Sequence, residues 1–350
     1  MDAIIVPTAR NPLALQHAIK LAAELKCVLV ALCSKYSSAK AVFARAAGTE
    51  VELLAIDTGQ PTEGLLPRFQ TCDLLEKTRF KRHTDTSHKR NLGLHIAWMT
   101  GWERIVFLDD DIEIPEPEDL GRAAALTDRF AGVGLNIHGY PDNSVVCHAY
   151  REAGGDQDMF VGGGALVIDI RSTSSYFPNI YNEDWFFLLN GEYLPPTAVT
   201  GIARQKPYDP FRREERARME ELGDVLAEGL FWLLDEGMPI RDANARYWQQ
   251  YLTKRQNFII ETMNMVRDME KVSESRQRML NSLKAACGRS QSIRPELCEA
   301  YVQAWRADRQ VWREHLQRAQ SSRRQNHRSG DVGKVLAELG LVWRSRYLAR

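Results

Sequence analysis

The first half of the chain alternates short apolar runs with stretches in which apolar residues recur at helical spacing. Apolar runs of strand length occupy residues 3–6, 28–32 and 51–56. Between them, helical spacing extends from Leu13 to Leu25, and a second helix is predicted from about Ala39 to Ala47, ended by Gly48. Strands that alternate with helices are typical of α/β proteins with a mostly parallel sheet, which bind ligands at the carboxyl ends of the strands.

Another strand is predicted from Ile105 to Leu108, after a helix that begins near Ser87 and ends at Gly101. Four consecutive apolar residues are typical of a strand buried on both faces. Three aspartates, Asp109 to Asp111, follow directly, and their mutual repulsion needs compensation. Mg²⁺ or Mn²⁺ would provide it, because both prefer hard oxygen ligands and are held by one or two carboxylates plus substrate phosphates. The alternative is an acidic strand end that is simply solvated.

Two cations stand at the start of the helix that precedes this strand. Lys89 and Arg90 can approach the sheet edge that carries the aspartates. A helix N-terminus favours anions, and arginine binds phosphate in bidentate fashion. The combination predicts a diphosphate and metal site, and the alternative is a solvated, charged helix start.

An acidic pair, Glu183 and Asp184, precedes the apolar run from Trp185 to Leu189. Carboxylates at a helix start are stabilised by the helix dipole, so capping alone explains the pair. A carboxylate beside aromatic rings can also have a raised pKa and act as a base on a hydroxyl group. The two roles are compatible.

A glycine triplet, Gly162 to Gly164, leads into the predicted strand from Ala165 to Ile168. Glycines in such a position mark a bulge or a close backbone contact. Close backbone approach is also what a sugar acceptor pocket uses.

The last third of the chain is helical and highly charged. Three helical segments are predicted over residues 211–237, 244–286 and 295–320, followed by an exposed linker over 321–330 and a short helix over 335–346. We therefore predict an α/β catalytic domain over residues 1–206 and a helical extension over 207–350.

Composition narrows the classes of partner and compartment. The 350 residues include 46 Lys plus Arg and 46 Asp plus Glu, so no overall field attracts nucleic acid or an anionic membrane. No apolar stretch reaches the ~20 residues of a membrane span, and no basic region precedes the first apolar run, so we expect a cytoplasmic protein. The six cysteines form no CxxC pair and no zinc-spaced cluster, which favours reduced thiols.

The motifs KRNLGL, IVFLDDDI, FVGGGALVIDI and NEDWFFLL, in this order, resemble those of nucleotide-sugar-dependent glycosyltransferases of the GT-A fold, especially family 2. The resemblance covers about residues 3 to 190. It implies that Asp109 and Asp111 form a DxD motif that binds Mg²⁺ or Mn²⁺ and the donor diphosphate, with Asp184 as catalytic base and Glu183 beside it. A hydroxyl acceptor would receive a hexosyl unit. The candidate donor-binding residues are Pro7, Thr8, Arg10, Lys89, Arg90, Asn91, Asp109 and Asp110, and the candidate acceptor-binding residues are Gly162, Gly163, Gly164 and Trp185.

The chain departs from this family in three places. Leu32-Cys33-Ser34 stands where many members carry a pair of aspartates that bind the base of the donor, so the donor base stays open. The Q-x-x-R-W signature of polymerising members is absent, which favours single transfer. Relatives that make glucosyl- or mannosylglycerate use a histidine after the acidic pair as a metal ligand, but none occurs between Asp184 and His315, where Asp209 is a candidate substitute. Inversion with Asp184 as base is preferred, and retention of the glycerate-enzyme type stays open.

Two other classes compete with this interpretation. Asp109 to Glu113 resembles the first motif of haloacid-dehalogenase-type phosphatases, although Glu113 replaces the usual Thr or Val and the motif comes late in the chain. A non-catalytic role would use the helix that contains Trp305 and Trp312, whose basic residues could dock a partner, a second copy of the chain or a lipid surface. Packing of this helix onto the α/β domain is the simpler prediction.

Overall fold

The computed structural model describes residues 1–59, 64–139, 143–157, 160–269, 274–325 and 331–349. Within them the protein has a nine-stranded sheet in the order β5-β8-β6-β7-β4-β1-β2-β3-β9. The strands are β1 (Ala3–Thr8), β2 (Val28–Cys33), β3 (Glu52–Asp57), β4 (Arg104–Leu108), β5 (Ile112–Glu113), β6 (Val133–Gly139), β7 (Ala165–Asp169), β8 (Ala198–Gln205) and β9 (Ser345–Leu348).

The sheet is mixed: the apolar runs predicted one parallel part, and a second parallel pair joins β6 and β8. Strands β4, β1, β2 and β3 are parallel neighbours, so their carboxyl ends lie along one edge. Strand β7 pairs antiparallel with β4, with Ile105 opposite Ile168. Strands β9 and β5 are also antiparallel to their neighbours. The α/β class was predicted correctly, whereas the fraction of parallel pairing was overestimated.

Helices cover both faces of this sheet. They are α1 (Gln16–Leu25), α2 (Ala39–Ala46), α3 (Gln70–Glu76), α4 (Thr86–Thr100), α5 (Glu118–Leu126), α6 (Val145–Glu152), α7 (Glu183–Leu188), α8 (Glu214–Asp235), α9 (Ala245–Asp268), α10 (Glu274–Ser290), α11 (Pro295–Gln325) and α12 (Val332–Glu338). One apolar core lies between the sheet and α1, α2 and α5. A second lies between the sheet and α4, α7, α8, α9 and α11. A third lies among α6, α8, α9 and α10.

Two glycines end helices as predicted. Gly101 caps α4 with φ +78°. Gly48 follows α2 with φ +80°. Both angles are in the left-handed region that glycine adopts without steric cost, so each position ends its helix.

Three predictions for the last third were wrong in detail. The stretch predicted over 244–286 is two helices, α9 and α10, and α11 continues to Gln325 through part of the predicted linker. The rest of that linker, 326–330, lies outside the described residues. The final helix was predicted to reach 346, but α12 ends at Glu338, before Gly340 with φ +65°. Residues 345–348 then pair with β3 as β9, a long-range contact that local spacing does not encode. The division at residue 206 stays a prediction.

The tryptophans of α11 are core residues. Trp305 and Trp312 are both 0% exposed, and the Trp305 ring lies 5.3 Å from that of Phe186 in α7. They are therefore unavailable for docking, and the simpler packing prediction is confirmed for this face. Among the described residues, no helix has both the length and the apolarity to cross a membrane. The six cysteines are free.

Helices α4 and α11 meet at a pair of histidines. Nε2 of His315 lies 3.3 Å from Nδ1 of His95, and the ring centroids are 4.4 Å apart. His95 is 5% exposed. Burial, reinforced by the charge that His315 carries when protonated, lowers the pKa of His95 from 6.5 to about 4. The folded state therefore favours the neutral ring.

This depressed pKa predicts a loss of stability in acid. The contribution of neutral His95 to the free energy of unfolding is fully present above pH 6.5. It is lost as the pH falls toward 4, because His95 binds a proton at a higher pH in the unfolded chain than in the folded protein. Between pH 7 and pH 5, the free energy of unfolding of a His95→Gln variant should fall by about 2 kcal/mol less than that of the wild type. Urea denaturation at the two pH values measures the difference, with the exposed His83→Gln as control. Equal pH dependence in wild type and His95→Gln would refute the assignment.

Candidate active site

A cavity of 560 Å³ lies at the carboxyl ends of β1 and β4, between the start of α4, the start of α7 and one face of α8. This is the sheet edge at which α/β proteins bind ligands. Most of the residues predicted from sequence line it, namely Pro7, Thr8, Arg10, Lys89, Arg90, Asp109, Asp110, Asp111, Glu183, Asp184 and Trp185. Asn91 and the three glycines do not.

The three aspartates after β4 each have a cationic or hydroxyl partner. Asp109 accepts a hydrogen bond from Arg90 at 2.9 Å. Asp110 accepts from the Thr8 hydroxyl at 2.7 Å and pairs with Arg10. Asp111 pairs with the same guanidinium at 2.9 Å. The protein thus compensates part of the repulsion that the sequence indicated, since burial and the neighbouring aspartates still raise the pKa of Asp109 to about 6 against the effect of Arg90.

Arg90 joins the two acidic groups of the cavity. Its buried guanidinium donates to Asp109 at 2.9 Å, to Glu183 at 3.1 Å and to the carbonyl oxygen of Gly163 at 3.1 Å. These contacts use most of its donors, so Arg90 orients carboxylates instead of standing free to bind a phosphate. A direct contact between Arg90 and a donor phosphate stays a prediction. Arg10, with 55% of its side chain exposed, is the more accessible cation.

Lys89 and Asn91 have structural partners. The Lys89 ammonium is buried and donates to the carbonyl oxygen of Thr8 at 2.8 Å and to the hydroxyl of Ser34 at 2.7 Å, which ties α4 to β1 and β2. The amide of Asn91 exchanges two hydrogen bonds of 2.8 Å with the backbone of Phe177. Asn91 does not line the cavity, and its place among the donor-binding residues stays a prediction.

The glycine triplet lies beneath the cavity and allows close packing there. A Cβ atom on Gly163 would lie 2.5 Å from a nitrogen of Arg90, and one on Gly164 would lie 2.5 Å from the Ile112 side chain. The amide of Gly163 also donates to Asp184 at 2.5 Å. The triplet therefore packs closely against Arg90 and Asp184, and its part in an acceptor wall stays a prediction.

The acidic pair at the start of α7 consists of two carboxyl groups with opposite pKa shifts. Burial disfavours the charge on Glu183, but Arg82 at 2.9 Å and Arg90 at 3.1 Å outweigh it and hold its pKa below the usual value. Burial raises the pKa of Asp184, and the charge of Glu183 adds to the effect. Different environments thus favour the charged form of Glu183 and increase the basicity of Asp184.

The turn before α7 is held in an unusual conformation. Asn182 has φ +62°, a left-handed angle that asparagine adopts at a cost. Its side-chain amide donates to Asp224 of α8 at 3.0 Å. Gly223 of α8 packs so closely that a Cβ atom there would lie 2.2 Å from the carbonyl oxygen of Tyr181. Helix α8 therefore fixes the turn that directs Asp184 into the cavity.

A buried ionic cluster anchors this face of α8. Arg255 of α9 pairs with Glu221 at 3.0 Å, with Asp224 at 2.7 Å and with Glu228 at 2.7 Å. Burial raises the pKa values of Glu221 and Glu228 to about 7 despite Arg255. Asp224 and Glu228 line the cavity. Sequence reasoning missed them, because carboxylates three and four residues apart share a helix face without showing whether that face is buried.

The acidic strand end fits a divalent cation only in part. Among the described residues, no group of three or more His, Cys, Asp and Glu side chains is arranged to hold a metal ion. Asp109 and Asp111 nevertheless supply hard oxygen ligands, and one or two carboxylates plus donor phosphates are the usual magnesium set. In this structure Arg10 forms an ion pair with Asp111, and its side chain would have to move away before Asp111 could bind a cation. Asp209 pairs with Arg278 and does not line the cavity, so it is not a third ligand.

Comparisons with known proteins add little to this geometry. No family model and no curated protein matches the chain. Among solved structures, the chain is similar to a mannosyltransferase from Pyrobaculum calidifontis in complex with GDP-Man and Mn²⁺, at 12% sequence identity and a TM-score of 0.38. The match covers 93% of this chain and 87% of that one. A TM-score below 0.5 does not establish a shared fold, and the proposals below rest on the site alone.

Proposed function

We propose that the protein is a glycosyltransferase of the GT-A type, which transfers a hexosyl unit from a nucleotide-diphosphate sugar to an acceptor hydroxyl. One observation carries this proposal: Arg90 links the carboxylates at the end of β4 to the acidic pair of α7 across a single cavity. One side of the cavity can hold a metal and a diphosphate, and the other presents a base. No observation among the described residues favours the phosphatase interpretation.

The donor would lie against the ends of β1 and β4. Asp109 and Asp111 are the residues that would hold Mg²⁺ or Mn²⁺, and a cation there would neutralise the charge on the departing diphosphate. Arg10, already at the cavity surface, would exchange its contact with Asp111 for one with the donor phosphates. Pro7, Thr8 and Lys89 form the wall behind them.

Asp184 would take the proton of the acceptor hydroxyl. Its oxygens are held by the amides of Gly163 and Trp185, which fixes the direction of the free lone pairs. Its raised pKa makes it a stronger base than an exposed aspartate. Direct displacement at the sugar carbon with a base on this side predicts inversion of the anomeric configuration.

The metal assignment predicts that Asp111→Asn loses the Mn²⁺-dependent part of donor binding and keeps the fold. Removing one carboxylate from a like-charged cluster relieves repulsion, so the melting temperature should not fall. A thermal-shift screen of UDP-, GDP- and dTDP-sugars with and without Mn²⁺ measures the effect, because a ligand of the native state raises apparent stability. Glu113→Gln, at a nearby half-exposed carboxylate, is the matched control. A full Mn²⁺-dependent shift in Asp111→Asn would contradict the assignment.

A further inference from the structure

A second cavity of 740 Å³ adjoins the first and is lined mainly by apolar side chains. Leu188 and Leu194 line it from the segment around α7, Val199 from β8 and Phe231 from α8. Apolar cavities of a few hundred cubic ångströms with a few polar groups are the usual form of sites for small organic ligands. Its chemistry therefore differs from that of the polar cavity beside it.

The two cavities share lining residues, among them the aromatic residue that follows the proposed base. Trp185 lines both, and so does Phe160, whose ring centroid lies 5.4 Å from that of Trp185. The Trp185 ring also lies 4.6 Å from that of Phe231, which lines the apolar cavity. A molecule with a hydroxyl group at Asp184 would thus have its remainder directed along Trp185 into apolar surroundings.

We infer that the acceptor is a hydroxylated molecule that carries an apolar group, and that this group occupies the cavity formed by Trp185, Leu188, Leu194, Val199 and Phe231. That the ligand is a glycosyl acceptor rests on the proposed function. That the cavity binds an apolar group does not depend on it. A purely polar acceptor would leave the larger cavity unused, whereas burial of an alkyl or aryl group there gains affinity with each methylene removed from water.

The test compares the binding of n-octyl β-glucoside, below its micelle-forming concentration, with that of methyl β-glucoside by isothermal titration calorimetry. The octyl compound should bind about tenfold tighter or more, since several methylenes would be buried. Val199→Trp, which fills the apolar cavity from β8, should remove that advantage. Ile202→Trp is the matched control, because Ile202 lies on the same strand, is 44% exposed and lines neither cavity. If Val199→Trp fails to fold, Leu194→Asp, at a half-buried position outside helices and strands, replaces it.

Equal affinities for the two glucosides would overturn the inference, and so would an octyl advantage that survives Val199→Trp or, where that variant fails to fold, Leu194→Asp. The nucleotide-sugar screen is independent of this result. A chain that binds a nucleotide sugar but not the octyl group keeps the proposed function and loses the apolar acceptor site. A chain that binds the octyl group but no nucleotide sugar loses the proposed function, and the cavity is then a ligand site but not an acceptor site.

Discussion

Replacement of Asp184 by asparagine is expected to lower turnover by about two to four orders of magnitude while donor binding is retained, the range typical of a lost acid-base group. The amide cannot take a proton from the acceptor. Its single oxygen can still accept from Gly163 or Trp185, so the turn at the start of α7 should survive. Initial-rate measurements with the cognate acceptor, together with calorimetric donor titration, separate the two effects.

The matched control for this prediction is Glu228→Gln. Glu228 also lines the cavity and has a pKa raised to about 7 by burial, so it is the principal rival as base. If Asp184 is the base, Glu228→Gln should cost far less turnover. A severe loss in Glu228→Gln with near-normal turnover in Asp184→Asn would transfer the role to Glu228. Product NMR provides a second check, because retention of configuration would exclude direct displacement with Asp184 as base.

The sequence was most informative where functional side chains come directly after a predicted strand or at the start of a predicted helix. The run from Ile105 to Leu108 is a buried strand, and parallel pairing with β1 brings its three aspartates to the edge where α4 begins. Local spacing therefore sufficed to bring Arg90 and Asp109 together. Local spacing did not predict the further hydrogen-bond partners of Arg90, because Glu183 and Gly163 are more than 70 residues away along the chain.

The role of α8 could not be read in the same way. The sequence predicted only a charged helix there, and tertiary packing buries Glu221 and Asp224 against Arg255. The partner of Asn91 was equally hidden, because its side-chain amide bonds with the backbone of Phe177, 86 residues along the chain. Sequence spacing predicts on which face of a helix a polar side chain lies. It does not predict the hydrogen-bond partner, which comes from a distant segment of the chain.

Replacement of Arg255 by methionine is expected to cost about 3–5 kcal/mol of unfolding free energy at pH 8, because it leaves buried carboxylates without their cation. The Arg255 side chain is 1% exposed, and those of Glu221 and Asp224 are 0% and 2% exposed. Methionine preserves much of the side-chain volume, so loss of charge and not of packing should dominate. Lys254→Met, at the exposed neighbouring position, should change stability by less than about 0.5 kcal/mol.

The deficit of Arg255→Met should shrink as the pH falls. Glu221 and Glu228 have pKa values of about 7 in the folded protein, against an ordinary value of 4.5, so their protonation favours the folded state. Their contribution to the free energy of unfolding is fully present below pH 4.5 and is lost as the pH rises through 7. Without Arg255 the ionised forms are disfavoured still more, which steepens the loss at high pH. Urea denaturation at pH 5.5 and pH 8 should show a clearly smaller deficit at pH 5.5. A deficit that does not depend on pH would mean that Arg255 stabilises the protein through packing. The claim that its ion pairs anchor helix α8 against the turn at Asn182 would then be wrong.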